Sequence, residues 1–324
     1  MTTFYLIRHA EAEGNLYRRM HGQFDTKITP NGVKQIQALA RRFADIPVDA
    51  CYASDLLRTR TTAQAICRPK NLPLQPEPAF RELKVGIWED LDFGWLHTFE
   101  PEAITCFGKD PAHWQVEDSE PFADYTGRFI WAMTRLAREH DGQTVAIFSH
   151  AAVMRGVMMV LFPDQPVLPT DNTAVTRLEY ENGAFRLCYL NDNSHLTPEI
   201  STLARSKMGI GRNSIWFRQE TPGTYTVMAG REPAGVLHLR EIDADTGCID
   251  YMKLLPQLRG RDSAVQLLGR AVFTFRDQGK STLLFRKPED LLNSLCRRME
   301  LKPDEAGICR MDIRLQMPEL GNLG

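Results

Sequence analysis

The chain has 324 residues, too many for one average domain and enough for two, with 43% hydrophobic and 25% charged residues as in an ordinary packed protein. A formal net charge of −2 argues against a nucleic-acid tail or a membrane-binding patch, although residues 1–200 lean acidic and the remainder basic. Seven cysteines, widely spaced and without a Cys-x-x-Cys pair, argue against a disulfide framework or zinc knuckle and suit reduced thiols in a cytoplasmic protein.

The first apolar run, FYLI at 4–7, predicts a strand covered on both faces; it is too short for a signal peptide, and no run reaches membrane-spanning length. Thr29 and Pro30 then open a helix, Thr29 as N-cap, with Val33, Ile36, Leu39, Ala40 and Phe43 at helical spacing. VDACYAS (48–54) reads as a second strand, and Ser54 or Asp55 is expected to cap the helix that follows. The stretch 92–125 mixes seven aromatic residues with Pro, Gly and acids, and is expected to form an irregular or partly helical cap. Residues 126–140 predict a helix, TVAIFS (144–149) a buried strand, and AAVMRGVMMVLF another helix. AVTRLEY and AFRLCYL flank Asn182-Gly183, a strong hairpin signal. Residues 192–213 are polar, which places a domain junction near 200.

Alternating strands and helices predict an α/β fold with a mostly parallel sheet, whose ligand sits at the carboxyl ends of the strands. Arg8-His9 and Ser149-His150 each directly follow a strand, so both pairs belong to one rim; Arg58 falls in the first turn of a helix after a third strand. Singly, such residues are usually solvated. Together, two arginines and an imidazolium suit an anion, because guanidinium forks match phosphate oxygens. The chain has no GxxxxGK[ST] loop and no HExxH metal motif. Phosphoryl transfer would then rest on protein cations, with a neutral histidine as nucleophile, since neighbouring positive charge keeps imidazole unprotonated.

These residues carry a resemblance. RHAEAEGN (8–15), GQFDTKITPNGVKQ, YASDLLRTRTTAQAI, FRELKVGIWEDL and FSHAAVMRG, in this order, resemble the motifs of the histidine phosphatase superfamily, the phosphoglycerate-mutase-like fold, over about residues 1–195. Ala10 and Ala151 stand where the family motifs have glycine. The resemblance implies a three-layer sandwich in a domain of residues 1–198, with the cap at about 92–125. It implies His9 as the residue that becomes phosphohistidine, Arg8, Arg58 and His150 as holders of the phosphoryl oxygens, and Glu82 as proton donor to the leaving oxygen. Asn15, His21, Gly22 and Ala151 would add contacts to substrate or phosphate. The implied activity is metal-independent hydrolysis of a small phosphomonoester. Mutase-type transfer and a non-catalytic phosphate-binding module are the alternatives. The partner expected is a small phosphorylated metabolite, not nucleic acid or membrane; whether the protein is an oligomer stays open.

Residues 205–324 predict strands over SIWFRQE, TYTVMAG, GVLHLREI and CIDYMKLLP, a helix with Ala264, Leu267, Leu268 and Ala271, a strand STLLFRK, a helix PEDLLNSLCRRMEL and a last strand ICRMDIRL. The order resembles the C-terminal half of a GNAT-type acetyltransferase, in a truncated or degenerate, smaller α+β form. The turn Gln257-Leu258-Arg259-Gly260-Arg261-Asp262 resembles its pyrophosphate loop, which would make Gln257, Gly260 and Arg261 a CoA loop, acetyl-CoA its ligand and the chain bifunctional. Asp262 puts a negative charge where that family has a small residue. The alternative is an appendage that binds a partner or completes a dimer.

Overall fold

The computed structural model describes residues 1–166, 169–205, 214–258, 263–286, 295–296 and 298–323. Two six-stranded sheets organise them. The first has the order β3-β2-β4-β1-β5-β6, from β1 (Thr2–Arg8), β2 (Ala50–Ala53), β3 (Leu74–Pro76), β4 (Thr144–Ser149), β5 (Val175–Glu181) and β6 (Ala184–Asp192). β1, β2, β3 and β4 pair in parallel, and β5 and β6 add an antiparallel edge. Mostly parallel is therefore correct for the half that carries the site, and the sheet as a whole is mixed. At the β5–β6 turn both Asn182 (φ 53°) and Gly183 (φ 85°) are left-handed, the backbone that the Asn-Gly pair favours.

Period-two alternation along the buried strands fills both faces of this sheet. Phe4 and Leu6 of β1, with Val145 and Ile147 of β4, face α6 (Phe122–Glu139) and α7 (Ala151–Leu161). Tyr5 and Ile7, with Ala146 and Phe148, face α2 (Pro30–Arg42) and α3 (Leu57–Lys70). The result is the three-layer sandwich expected. Between β1 and α2 lies the short helix α1 (Glu13–Tyr17), and the aromatic stretch forms α4 (Phe93–Phe99) and α5 (Pro101–Lys109).

Thr29 caps α2 as expected, its hydroxyl accepting from Gly32 N at 3.1 Å. The cap expected for α3 is wrong: its N-cap is Leu56, and neither Ser54 nor Asp55 caps it. The carboxylate of Asp25, far back in the chain, accepts from Leu57 N at 2.9 and 3.1 Å instead.

The second sheet has the order β12-β11-β10-β9-β8-β7, from β7 (Trp216–Thr221), β8 (Thr224–Ala229), β9 (Glu232–Glu241), β10 (Thr246–Leu254), β11 (Thr282–Arg286) and β12 (Ile308–Asp312). All its pairings are antiparallel except β10 with β11, which are joined through α9 (Ser263–Asp277). The remaining described helix, α8 (Thr202–Arg205), lies between the sheets in sequence. The expected helix over PEDLLNSLCRRMEL falls largely outside the described residues.

The cores are interleaved. Leu16 and Tyr17 of α1 belong to the core of the second sheet, while Leu320 and Leu323 of the C-terminal tail pack into the α2–α3 face of the first. All seven cysteines are unbridged. Among the described residues no helix is long and apolar enough to cross a membrane.

Candidate active site

The parallel register places Arg8 of β1 beside Ser149 of β4. His9 and His150 therefore leave neighbouring strands at the same level, with ring centroids 5.2 Å apart. Both are buried. His9 Nδ1 donates to the Ala10 carbonyl at 2.7 Å, because a carbonyl oxygen only accepts. In the neutral ring this leaves Nε2 with the lone pair. Burial, with Arg58 and Arg8 adding to it, holds the His9 imidazole well below its ordinary pKa, hence uncharged. Ala10, in the family's glycine position, is fully buried and donates its N–H to Thr62 Oγ1 at 2.9 Å, so the extra methyl is accommodated.

Arg58 comes from the first turn of α3. Its Nη2 donates to the Gly22 carbonyl at 2.6 Å, its Nη1 to the Phe24 carbonyl at 2.9 Å and its Nε to His150 Nδ1 at 3.3 Å. Gly22 is required there: its φ is +47°, and a Cβ would come within 2.3 Å of Glu89 Oε1. With Nδ1 of His150 accepting, its Nε2–H donates to Ser54 Oγ at 2.9 Å. The imidazolium expected beside the two arginines is not found here. Burial, then Arg58 and His9, push the His150 ring well below its ordinary pKa.

Glu82 reaches the rim by a different route. Its carboxylate accepts from Val153 N at 2.7 Å and Ala152 N at 3.1 Å, in the first turn of α7, and from its neighbour Leu83 N at 3.1 Å. Arg128 of α6 fixes the backbone below it, donating to the carbonyls of Ala79, Arg81 and Glu82. The residue that stands over the cavity thus also supplies the acceptor for the start of α7, a helix with no side-chain N-cap of its own.

Arg8, His9, Asn15, His21, Gly22, Arg58, Glu82 and Ala151 all line one cavity of about 340 Å³; Arg18, Phe93, Phe107, Thr202 and Leu203 add to its walls. His150 is fully covered and is not among the residues that line it. His21 is held uncharged by burial and by Arg58, with its Nε2 unbonded. Several supporting residues escaped the sequence reading. Asn172 Nδ2 donates to the His9 carbonyl at 2.9 Å and to Asn15 Oδ1 at 3.3 Å, and Arg8 donates to the Thr170 carbonyl. Only contact across long sequence distances marks Asn172 and Thr170.

Residues 4–193 match the model of the histidine phosphatase superfamily, branch 1, more than half of the chain. The chain belongs to the histidine phosphatase superfamily. Among curated relatives, phosphoserine phosphatase 1 of Hydrogenobacter thermophilus is 29% identical over 161 residues, covering 50% of this chain and 76% of its own. A probable phosphoglycerate mutase GpmB of Serratia proteamaculans is 39% identical over 154 residues, covering 48% of this chain and 72% of its own. Among solved structures, Bacillus stearothermophilus YhfR superposes with a TM-score of 0.57 at 29% identity, over 60% of this chain and 99% of its own. As a histidine phosphatase superfamily member the chain is thus of a phosphatase or mutase type.

The family match ends before the second sheet. Of the residues expected to cradle CoA, Gln257 lies in a 3-10 turn, Pro256–Leu258, and Gly260 and Arg261 lie outside the described residues. The acetyltransferase likeness has no support from this family match.

Proposed function

We propose that this protein hydrolyses a small phosphomonoester without a metal ion, through a phosphohistidine on His9. The observation that carries the reading is the His9 ring: its Nδ1–H is committed to the Ala10 carbonyl and its Nε2 is left uncharged, with its lone pair free, beside Arg8 and Arg58. In the first step Nε2 attacks phosphorus, the ester P–O bond breaks, and the Glu82 carboxyl gives its proton to the leaving oxygen. In the second step Glu82 takes a proton from water, the hydroxyl oxygen bonds to phosphorus, the N–P bond breaks and inorganic phosphate leaves. Arg8, Arg58 and His150 hold the phosphoryl oxygens, and Asn15 adds a hydrogen bond.

A relative in Arabidopsis thaliana, 27% identical over 201 residues, is named a metal-independent phosphoserine phosphatase. The names of the relatives make phosphoserine and phosphoglycerate the first substrates to try. Mutase-type transfer is the second reading, favoured by the GpmB relatives. The cavity walls of Val85, Phe93 and Phe107 set the size and apolar character of the group attached to phosphate.

The test is a panel of phosphomonoesters with a chelator present, read as inorganic phosphate released, together with acid-labile phosphate trapped on the protein in a single turnover. Hydrolysis and a trapped phosphate that His9→Ala abolishes are the expected results. Isomerised phosphoglycerate without free phosphate would replace hydrolysis by transfer. A trapped phosphate that persists in His9→Ala would overturn the assignment of the nucleophile.

A further inference from the structure

The segment between β1 and α2, residues 9–29, supplies much of the cavity, yet it makes only one turn and a half of helix of its own. Such a long connection needs bracing from outside. Helix α9 of the second sheet lies against it. Gly269 permits the approach: a Cβ there would sit 2.5 Å from the Tyr17 ring. One turn on, the Phe273 ring meets Tyr17 at 6.1 Å, His21 at 5.7 Å and Phe24 at 5.9 Å, all edge-on, and the Arg19 guanidinium lies 4.9 Å from its centroid. Beyond it, Arg276 clasps Glu13 with both nitrogens, Nη1 to Oε2 at 2.9 Å and Nη2 to Oε1 at 2.8 Å. Glu13 is only 2% exposed, so this is a buried, bidentate pair, and without Arg276 the carboxylate would keep only the Lys27 N–H at 3.2 Å among its described hydrogen bonds. Arg270 adds a contact to Asp92, which also holds Arg19.

These contacts converge on the phosphate clamp. Glu13 starts the helix that presents Gly14 and Asn15 to the cavity, His21 lines it, and the carbonyls of Gly22 and Phe24 are two of the acceptors that aim Arg58. We propose that α9 is a positioning element of the active site, with Phe273 and Arg276 as positioning residues that set Arg58, Asn15 and His21 around the phosphoryl group. Neither residue lines the cavity, and both act through the 13–24 segment. The second sheet is thereby part of the phosphatase, not an independent module joined to it. The inference rests on the proposed phosphoryl chemistry, since it names what the bracing is for.

The test uses the full chain. Arg276→Met, Arg276→Lys and Phe273→Leu are compared with wild type and with Tyr251→Ser, whose side chain is exposed on the second sheet. Two readouts at 25 °C separate positioning from mere stability: kcat and KM for the best phosphomonoester, and the calorimetric affinity for orthovanadate, which resembles the transition state more than the substrate. Phe273→Leu and Arg276→Met are expected to lower kcat on the order of 10–100-fold with KM changed less than about threefold, since small displacements of a clamp cost this much. Vanadate affinity should fall in parallel, Arg276→Lys should recover part of both, and Tyr251→Ser should match wild type. Where Arg276→Met does not fold, Phe273→Leu and Arg276→Lys decide. Folded variants with a lowered melting temperature but wild-type kcat and vanadate affinity would overturn the positioning role and leave the phosphatase reading intact. Vanadate binding without turnover, weakened in the variants, would keep the positioning role and overturn hydrolysis. Neither turnover nor vanadate binding in wild type would overturn both.

Discussion

The two histidines leave adjacent parallel strands at the same level, but their supports differ. After β4 the chain turns at once into α7, and His150 is fixed by Arg58 of α3 and by Ser54, which directly follows β2. After β1 the chain runs from His9 to Thr29 before α2 begins, and Arg276 and Phe273 brace that run from the far end of the sequence. A short connection inherits its order from the sheet. A long one can shape a cavity, at the cost of needing a second surface against which to hold its form.

Arg58 joins the two sides, donating to carbonyls of the β1 connection and to the histidine of the β4 connection. Its loss should therefore have the largest effect after removal of the nucleophile itself. Arg58→Met is expected to lower kcat/KM on the order of 10²–10³, the usual result of removing one donor from a preorganised anion site. Steady-state kinetics on the best phosphomonoester check this. A change of less than about fivefold would mean that Arg8 and His150 suffice and that the two sides do not need a bridge.

Acid should weaken both sides alike. His9 and His21 in the β1 connection and His150 after β4 are all held well below their ordinary pKa by burial beside arginines. In the unfolded chain each takes a proton near pH 6.5; in the folded chain each resists it. The folded state thus binds fewer protons, so stability is full above about pH 6.5 and falls as pH drops below it, by up to roughly 1.4 kcal/mol per pH unit for each such histidine. Urea midpoints at successive pH values from neutral to mildly acid read this directly. His21→Asn should flatten the slope by about one histidine's share; an unchanged slope would show that His21 titrates alike in both states.

Much of the first sheet was legible because its code is local. A continuous apolar run followed at once by Arg-His or Ser-His is a buried strand delivering polar groups to a rim, and β1 and β4 lie where that pattern puts them. Thr29-Pro30 and Asn182-Gly183 are likewise local signals for a cap and a turn. The errors share another cause. The acceptor at the start of α3 is Asp25, not the adjacent Ser54 or Asp55, and His150 is uncharged because of how deeply it is buried among cations. Asn172, Arg128 and Arg276 serve the site only through partners distant in sequence, and a single chain gives no marker for such pairs. The second sheet showed its strands by alternation but not its purpose, because its contribution lies in one helix face packed against another part of the chain.

The smallest effect expected tests where the β1 connection ends. Thr29 closes it, accepting from Gly32 N and donating to Glu11 Oε1 at 2.7 Å, and it lies away from the phosphate cavity. Thr29→Ala removes a helix cap and one donor to the Glu11 carboxylate, which keeps Asn31 and Arg205, and should cost about 1–2 kcal/mol of stability. If the part of the connection that matters for catalysis is the α9-braced 13–24 segment, the variant should keep kcat within about threefold of wild type, because losing an N-cap loosens the first turn of α2 and not the clamp. Denaturant titration and kinetics on the same preparation give both numbers. A large fall in kcat with little loss of stability would mean that the whole run from β1 to α2 moves as one body, and that its bracing extends beyond the contact with α9.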